Sequence, residues 1–269
     1  MAVNDLCTLV DVKAWLGRSD SNSDAVLASL IARTSRQIHS WLQRGSLLPR
    51  VVSETRDGTG GATLVLRQWP VLSVTSLEIG EQTIPQRASP CVAGWALESW
   101  DGVPPGRAQA FSLDGYSFGC GAQTVRIVYQ AGYQVSAEPQ TVANAAATVL
   151  APYGDWASDA GVTYANGVPL VAVTGAPSVG QYQLTPDAPG SYTFNSGDNG
   201  AAILVSYGFI PADLADACIE LVAERFKYAQ RIGEKTHSLG GNETVAFDNT
   251  RLTPLVISLL QPYRHVLPM

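Results

Sequence analysis

Charge is scarce in this chain. Asp, Glu, Lys and Arg make up 15% of its 269 residues, whereas apolar residues make up 46%, a balance that excludes global disorder and leaves much of the surface uncharged. The charge that is present leans acidic, with 17 basic against 23 acidic residues and a net of −6. A surface built to grip a phosphate backbone is therefore not expected, although an acidic wall suits a channel that conducts nucleic acid without holding it. Histidine is rarer still. His39, His237 and His265 stand far apart and outside any H-x-x-x-H or H-E-x-x-H pattern, which removes the common zinc signatures and leaves His39 as an exposed or capping side chain. The four cysteines, Cys7, Cys91, Cys120 and Cys218, form no C-x-x-C pair, so they read as reduced thiols and not as a disulfide frame or a metal site. No run of about 18 apolar residues occurs and the first residues carry no basic segment, so neither a membrane span nor a signal peptide is expected. Nucleophile and phosphate-binding signatures are equally missing. There is no G-x-S-x-G elbow, and the glycines at 58, 60 and 61 lack the spacing and the lysine of a phosphate loop. Asp155 with Asp159 and Glu220 with Glu224 have the i, i+4 spacing of solvated helix charges, and nothing else converges on them. Asp198-Asn199-Gly200 reads as a turn, because the other ligands of a calcium loop are missing. No cofactor and no metal are implied.

What the chain does contain is periodicity. Thr8 with Asp11 predicts a capping box for a first short helix that Gly17 closes. Ser21 or Ser23 caps a second helix whose inner stripe is Leu27, Leu30, Ile31, Thr34, Ile38, Trp41 and Leu42, with Gly45 at its end. β structure follows. Residues 51–56 and 62–67 flank a glycine-rich tip and predict a hairpin, 71–79 a half-buried strand, and 95–97, 108–113 and 124–129 further strands, separated by turns at Asp101-Gly102, Pro104-Pro105-Gly106 and Asp114-Gly115. Residues 140–150 are ambiguous between strand and helix.

Residues 211–237 carry the strongest single signal. Leu214, Cys218, Leu221, Val222, Phe226 and Ala229 recur at helical steps, Pro211 suits a first turn, Asp213 and Asp216 suit the positive end of the dipole, and Gly233 offers a stop. About 22 residues at 1.5 Å each would make a rod of roughly 33 Å. Its other face mixes Glu220, Glu224, Arg225, Lys227, Arg231 and Lys235, which fits a solvated face or a face that meets other subunits. Near the C-terminus, Thr253-Pro254 starts a short helix in which Leu255, Val256, Ile257, Leu259 and Leu260 point in all directions. Such a helix is buried in its own core or against a partner. Tyr263, Arg264 and His265 follow as a polar tip.

The order of these segments resembles a known family. LVDVKAWLG, then DAVLASLIARTSRQIHSWLQR, then VVSETRDGTGGATLVLRQWPVLSVTSLEI, and later IPADLADACIELVAERFKYAQRIGEKTHSLGGNETVAF, together about two thirds of the chain, look like the head-to-tail connector proteins of tailed bacteriophages, the adaptor or head-completion family. The resemblance implies a non-enzymatic virion protein of the neck, made in the bacterial cytoplasm. It implies a homo-oligomeric ring, usually of twelve subunits, that joins the portal protein to tail or tail-completion proteins and lets DNA pass as cargo, with no membrane partner. In such a ring the mixed-charge face of the long helix would supply the subunit contacts, with Glu220 and Glu224 of one subunit near Arg225, Lys227 or Arg231 of the next. Portal contacts would fall at Leu255, Ile257, Leu259, Leu260, Tyr263, Arg264 and His265.

The middle of the chain departs from that pattern. Residues 124–133 already look like the strand that should feed the long helix, yet residues 202–211 do so instead, which predicts a β-rich module inserted at 134–201 within a connector core of 1–133 and 202–269. The expected fold is therefore α+β: a helical hairpin and a long C-terminal helix packed with antiparallel strands, plus a small all-β insertion. Tyr164, Tyr182, Tyr192 and Phe194 are the insertion's candidate surface aromatics. They motivate an alternative function, a carbohydrate- or receptor-binding module on an oligomerising helical scaffold.

Overall fold

A computed structural model describes residues 4–98, 109–185, 188–229, 236–239, 243–246 and 252–265. The fold is mixed α+β, with four α-helices and sheets that are antiparallel apart from one short parallel pair, Val171–Ala172 with Gln181–Tyr182, among the described residues. In chain order the elements are α1 (Leu9–Leu16), α2 (Asp24–Leu42), β1 (Arg50–Gly58), β2 (Thr63–Val65), β3 (Val71–Ile79), β4 (Gln82–Thr83), β5 (Gly94–Leu97), β6 (Ala110–Asp114), β7 (Gly121–Ala131), β8 (Gln134–Thr141), β9 (Ala146–Thr148), β10 (Gly154–Tyr164), β11 (Val171–Ala172), β12 (Gln181–Leu184), β13 (Ser191–Phe194), β14 (Ala202–Pro211), α3 (Ala212–Tyr228), β15 (Thr236–Leu239), β16 (Glu243–Ala246) and α4 (Pro254–Leu260). They form two compact units. One comprises Met1–Gly45 and Ala212–Arg264, the other Ser46–Pro211 and His265–Met269.

The first unit is helical. Thr8 accepts from the Asp11 N–H while Asp11 accepts from the Thr8 N–H, so the predicted capping box forms, and Gly17 closes α1 in the left-handed conformation at φ 65°. In α2 the stripe residues Leu27, Ile31, Thr34, Ile38 and Leu42 are buried as the 3.6-residue period requires, together with Ser35, whereas Leu30 and Trp41 at its margins are half-buried. Gln43, and not Gly45, takes the left-handed C-cap position. α3 is shorter than its charge pattern implied. It spans 17 residues, about 26 Å at 1.5 Å each, and Pro211 ends β14 instead of starting the helix. Its buried set, Leu214, Ala215, Ala217, Cys218, Leu221, Val222 and Ala223, is wider than one stripe because α1, α2 and α4 all pack on it. α4 starts as predicted, with Thr253 accepting from the Val256 N–H and Pro254 in its first turn. β15 and β16 pair as an antiparallel hairpin. Gly233, Arg231 and Lys235, like the expected turns at Asp101-Gly102 and Pro104-Pro105-Gly106, lie outside the described residues.

The second unit is built from sheets. β1, β7, β3 and β4 form one sheet in that order, β2, β6 and β5 another. Leu77, Val125, Ile127 and Tyr129 of the first share a core with Leu64, Trp95, Phe111 and Leu113 of the second. The predicted hairpin of 51–56 with 62–67 does not form. β1 pairs instead with β7, Arg50 opposite Ala131 through Arg56 opposite Val125, and β2 pairs with β6. The reason is length: an eleven-residue β7 offers β1 a long ladder, whereas β2 has three residues. The glycine-rich segment thus leads from one sheet to the other. At the end of β7 the chain changes sheets at Gly132. Its φ is 150°, and a Cβ there would stand 2.4 Å from the Pro49 nitrogen, so only glycine fits.

Residues 134–211 make two further sheets, β10-β14-β8 and β11-β12-β13-β9. The ambiguous stretch 140–150 is extended, with Asn144 and Ala145 both at positive φ between the end of β8 and β9. β14 lies at the centre of its sheet, with β10 on one edge from Gly154↔Pro211 to Tyr164↔Ile203 and β8 on the other from Ala202↔Thr141 to Gly208↔Gln134. The strand that feeds α3 therefore takes both of its partners from the segment expected to be an insertion.

Candidate assembly surfaces

On α3, residues 213, 216, 220, 224 and 227 fall on the side opposite Cys218 at 100° per residue. Asp213, Asp216 and Lys227 are exposed and Glu220 and Glu224 half-buried. Asp213 is engaged locally, accepting the Tyr263 hydroxyl at 2.9 Å. Arg225 differs from the other charged residues expected to meet a neighbour. It lies on the packed side, where its guanidinium donates to Thr34 Oγ1 at 3.1 Å and to Gln37 Oε1, tying α3 to α2. A partner within the chain already occupies it. Sequence periodicity carries this signal, since 225 lies one turn beyond Leu221 and two beyond Cys218, but arginine is an unusual residue on a core stripe.

The core between α1, α2 and α3 holds two of the four thiols. Cys7 donates to Cys218 Sγ at 3.4 Å, and Ser35 Oγ stands 3.5 Å from Cys218 Sγ while accepting the Leu6 N–H at 3.0 Å. The Cys218 contact first, then burial, pushes the Cys7 thiol far up, while the Cys7 hydrogen bond lowers Cys218. Both behave as buried structural thiols, whereas Cys91 and Cys120 are exposed. His39 is no free surface residue either. Its ring nitrogens sit 3.2 Å from the Arg44 and Asn4 carbonyl oxygens, and burial lowers its pKa.

The C-terminal candidates divide. Leu255 and Ile257 are 55% and 37% exposed, Leu259 is half-buried and Arg264 is exposed with its guanidinium 5.0 Å from the Trp41 ring centroid. Leu260, Tyr263 and His265, expected among the outward contacts, are buried instead. A helix apolar all round can still cover its own core with one side, and α4 does so through Val256 and Leu260. His265 stacks at 5.5 Å and 32° on Trp69.

The aromatics expected on the insertion's surface are mostly internal. Tyr182 and Tyr192 are 2% and 0% exposed, Phe194 is buried and Tyr164 half-buried. They serve a network that joins the two sheets. Asp159 accepts the Tyr182 hydroxyl at 2.6 Å, the Tyr192 hydroxyl at 3.3 Å and the Gly161 N–H at 3.2 Å, and Trp156 Nε1 donates to the Tyr192 oxygen at 3.0 Å. Asp198 accepts from Tyr164 at 2.5 Å and from the Gly180 N–H at 3.4 Å, so it holds a loop. Glu138 accepts from Tyr207, from Gln140 at 2.8 Å and from the Leu150 N–H at 2.7 Å. Burial, then the Asp159 hydrogen bond for Tyr182 and the Glu138 hydrogen bond for Tyr207, raises these phenols above their ordinary range. One carboxylate lacks such partners. Glu54 on β1 is 7% exposed, neither of its oxygens has a hydrogen-bond partner of good geometry, and burial raises its pKa against the weaker opposing pull of the Arg56 charge and of the Arg67 backbone amide and charge.

Among the described residues, no three His, Cys, Asp or Glu side chains gather as a metal site and no helix is long and apolar enough to cross a membrane. No family model and no curated protein matches this chain. Among solved structures, a chain from the neck of an empty GTA particle computed with C6 symmetry is similar at 12% identity and a TM-score of 0.34, covering 100% of this chain and 95% of that one. A likeness of that size assigns neither fold nor role.

Proposed function

We propose that this chain is a structural, non-enzymatic protein of a tailed-phage neck, a ring-shaped adaptor between portal and tail through which DNA passes and which completes the packaged head. What supports this is the order of segments that resembles connector proteins. The observation that carries it is the α2–α3 pair, packed through Arg225, Thr34 and Gln37, which turns a charged row of α3 outward and free of intramolecular ion pairs among the described residues. Such a row can set register between neighbours, while apolar contacts supply affinity, because exposed pairs give only about 0 to 1 kcal/mol each. Twelve subunits is the number the resemblance implies. The portal-facing contacts are then Leu255, Ile257, Leu259 and Arg264, and residues 134–201 lie on the outside of the ring, facing tail or decoration proteins. A glycan- or receptor-binding role loses its aromatic cluster, since Tyr182, Tyr192 and Phe194 are internal. Electron microscopy of particles made without this gene tests the reading. Full heads that lack tails or leak DNA are expected, and normal infectious virions would overturn it.

A further inference from the structure

The outer sides of α2 and α3 carry charge of opposite sign. On α2, Arg33 and Arg36 lie across the helix from buried Ile31 and Ile38; on α3, Asp216, Glu220 and Glu224 lie across from buried Cys218 and Leu214. Both arginines and Asp216 are exposed, and both glutamates are half-buried. The ion pairs among the described residues are Lys13–Asp24, Arg18–Asp20, Arg87–Asp114 and Arg126–Glu78, so neither row is neutralised within them. The helix dipole accounts for Asp216 near the N-terminus of α3 but not for Glu220 and Glu224. Like charges at i, i+4 such as Glu220 and Glu224 disfavour the helix that carries them. A surface tuned only for solubility intersperses both signs, whereas the outward charges here are Arg33 and Arg36 on α2 and, before Lys227, Asp213, Asp216, Glu220 and Glu224 on α3.

A contact of α3 with α3 would set Asp216, Glu220 and Glu224 against one another with Lys227 as the single exposed cation among the described residues on that side of the helix, and Arg225 cannot add to it because Thr34 and Gln37 already hold its guanidinium. The arginine pair of α2 is a complementary surface within the same helical unit. We infer that the acidic row of α3 docks on Arg33 and Arg36 of a second copy, an inference that rests on the ring reading and names its subunit contact. The two surfaces are different patches of one molecule, so the contact is head-to-tail and generates a ring when its rotation closes. The charges set register and speed encounter, and high salt weakens the contact because exposed pairs are screened beyond about 10 Å at 0.1 M.

The test is a charge swap on the purified full-length chain, followed by mass photometry and sedimentation across concentration and salt. Glu220→Lys with Glu224→Lys, or Arg33→Glu with Arg36→Glu, is expected to weaken self-association by about tenfold or more, and the quadruple variant to recover most of it. Near-native circular dichroism and urea midpoints would show that each variant still folds. Oligomers of wild-type size in both double variants would overturn the α2–α3 contact and leave the ring intact. A wild-type chain that stays monomeric at every concentration would overturn the contact and the ring reading together.

Discussion

Glu54 stands among Val52, Ile127 and Tyr129 on the core side of its sheet with no hydrogen-bond partner of good geometry, an arrangement that works against the fold. Its folded-state pKa is raised by burial, so the native state favours the protonated acid. Stability from this group is full below the unfolded value of about 4.3 and is lost as pH rises through the folded value. Glu54→Gln removes that titration. Urea melts should show the variant gaining on the order of 1 kcal/mol over wild type at pH 7 and losing that advantage near pH 4. The tyrosines act at the other end of the scale. Tyr182, Tyr192 and Tyr207 have raised folded-state pKa values, so their contribution is present below about pH 10 and disappears as pH climbs through the higher folded values. Alkaline unfolding followed by tyrosinate absorbance should therefore be cooperative. Tyr182→Phe, which removes a 2.6 Å hydrogen bond to Asp159, should cost about 1 kcal/mol at pH 8 and less at pH 11.

At the level of elements, the helical unit shows how one misplaced charge changes an assignment. The sequence pattern grouped Arg225 with the outward charges of a long helix, yet the helix ends at Tyr228 and Arg225 binds α2. If it serves its own subunit, Arg225→Ala should lower the stability of the monomeric chain by about 1.5 to 3 kcal/mol, the cost of losing charged hydrogen bonds in a half-buried site. If it served a neighbour, the same variant would leave the monomer's urea midpoint unchanged. The contrast with Glu220 and Glu224 is geometric, since those residues lie on the opposite side of the same helix.

Across the whole molecule, the connection between the expected insertion and the strand before α3 decides how the chain can be divided. β14 is the central strand of its sheet, and both edges come from residues 134–164. A fragment of residues 134–201 would leave β8 and β10 without the strand between them, so it should give dispersed amide spectra only when extended to residue 211. Equal dispersion for both fragments would return the boundary to 201. Most local features were legible in the sequence because they depend on neighbours a few residues away: the Thr8–Asp11 capping box, the α2 stripe, the Thr253-Pro254 start and the strands at 71–79 and 124–129. Composition likewise excluded disorder and a long apolar span. Partner choice was not legible. Whether β1 pairs with β2 or β7, whether tyrosines of a β-rich segment point outward or onto Asp159, and whether Arg225 faces a neighbour or Thr34 all depend on residues distant in sequence. Local pattern sets which segments are helix and strand and which face of each is apolar. Tertiary structure alone decides what covers those faces, because ladder length and burial are properties of pairs of segments and not of either one.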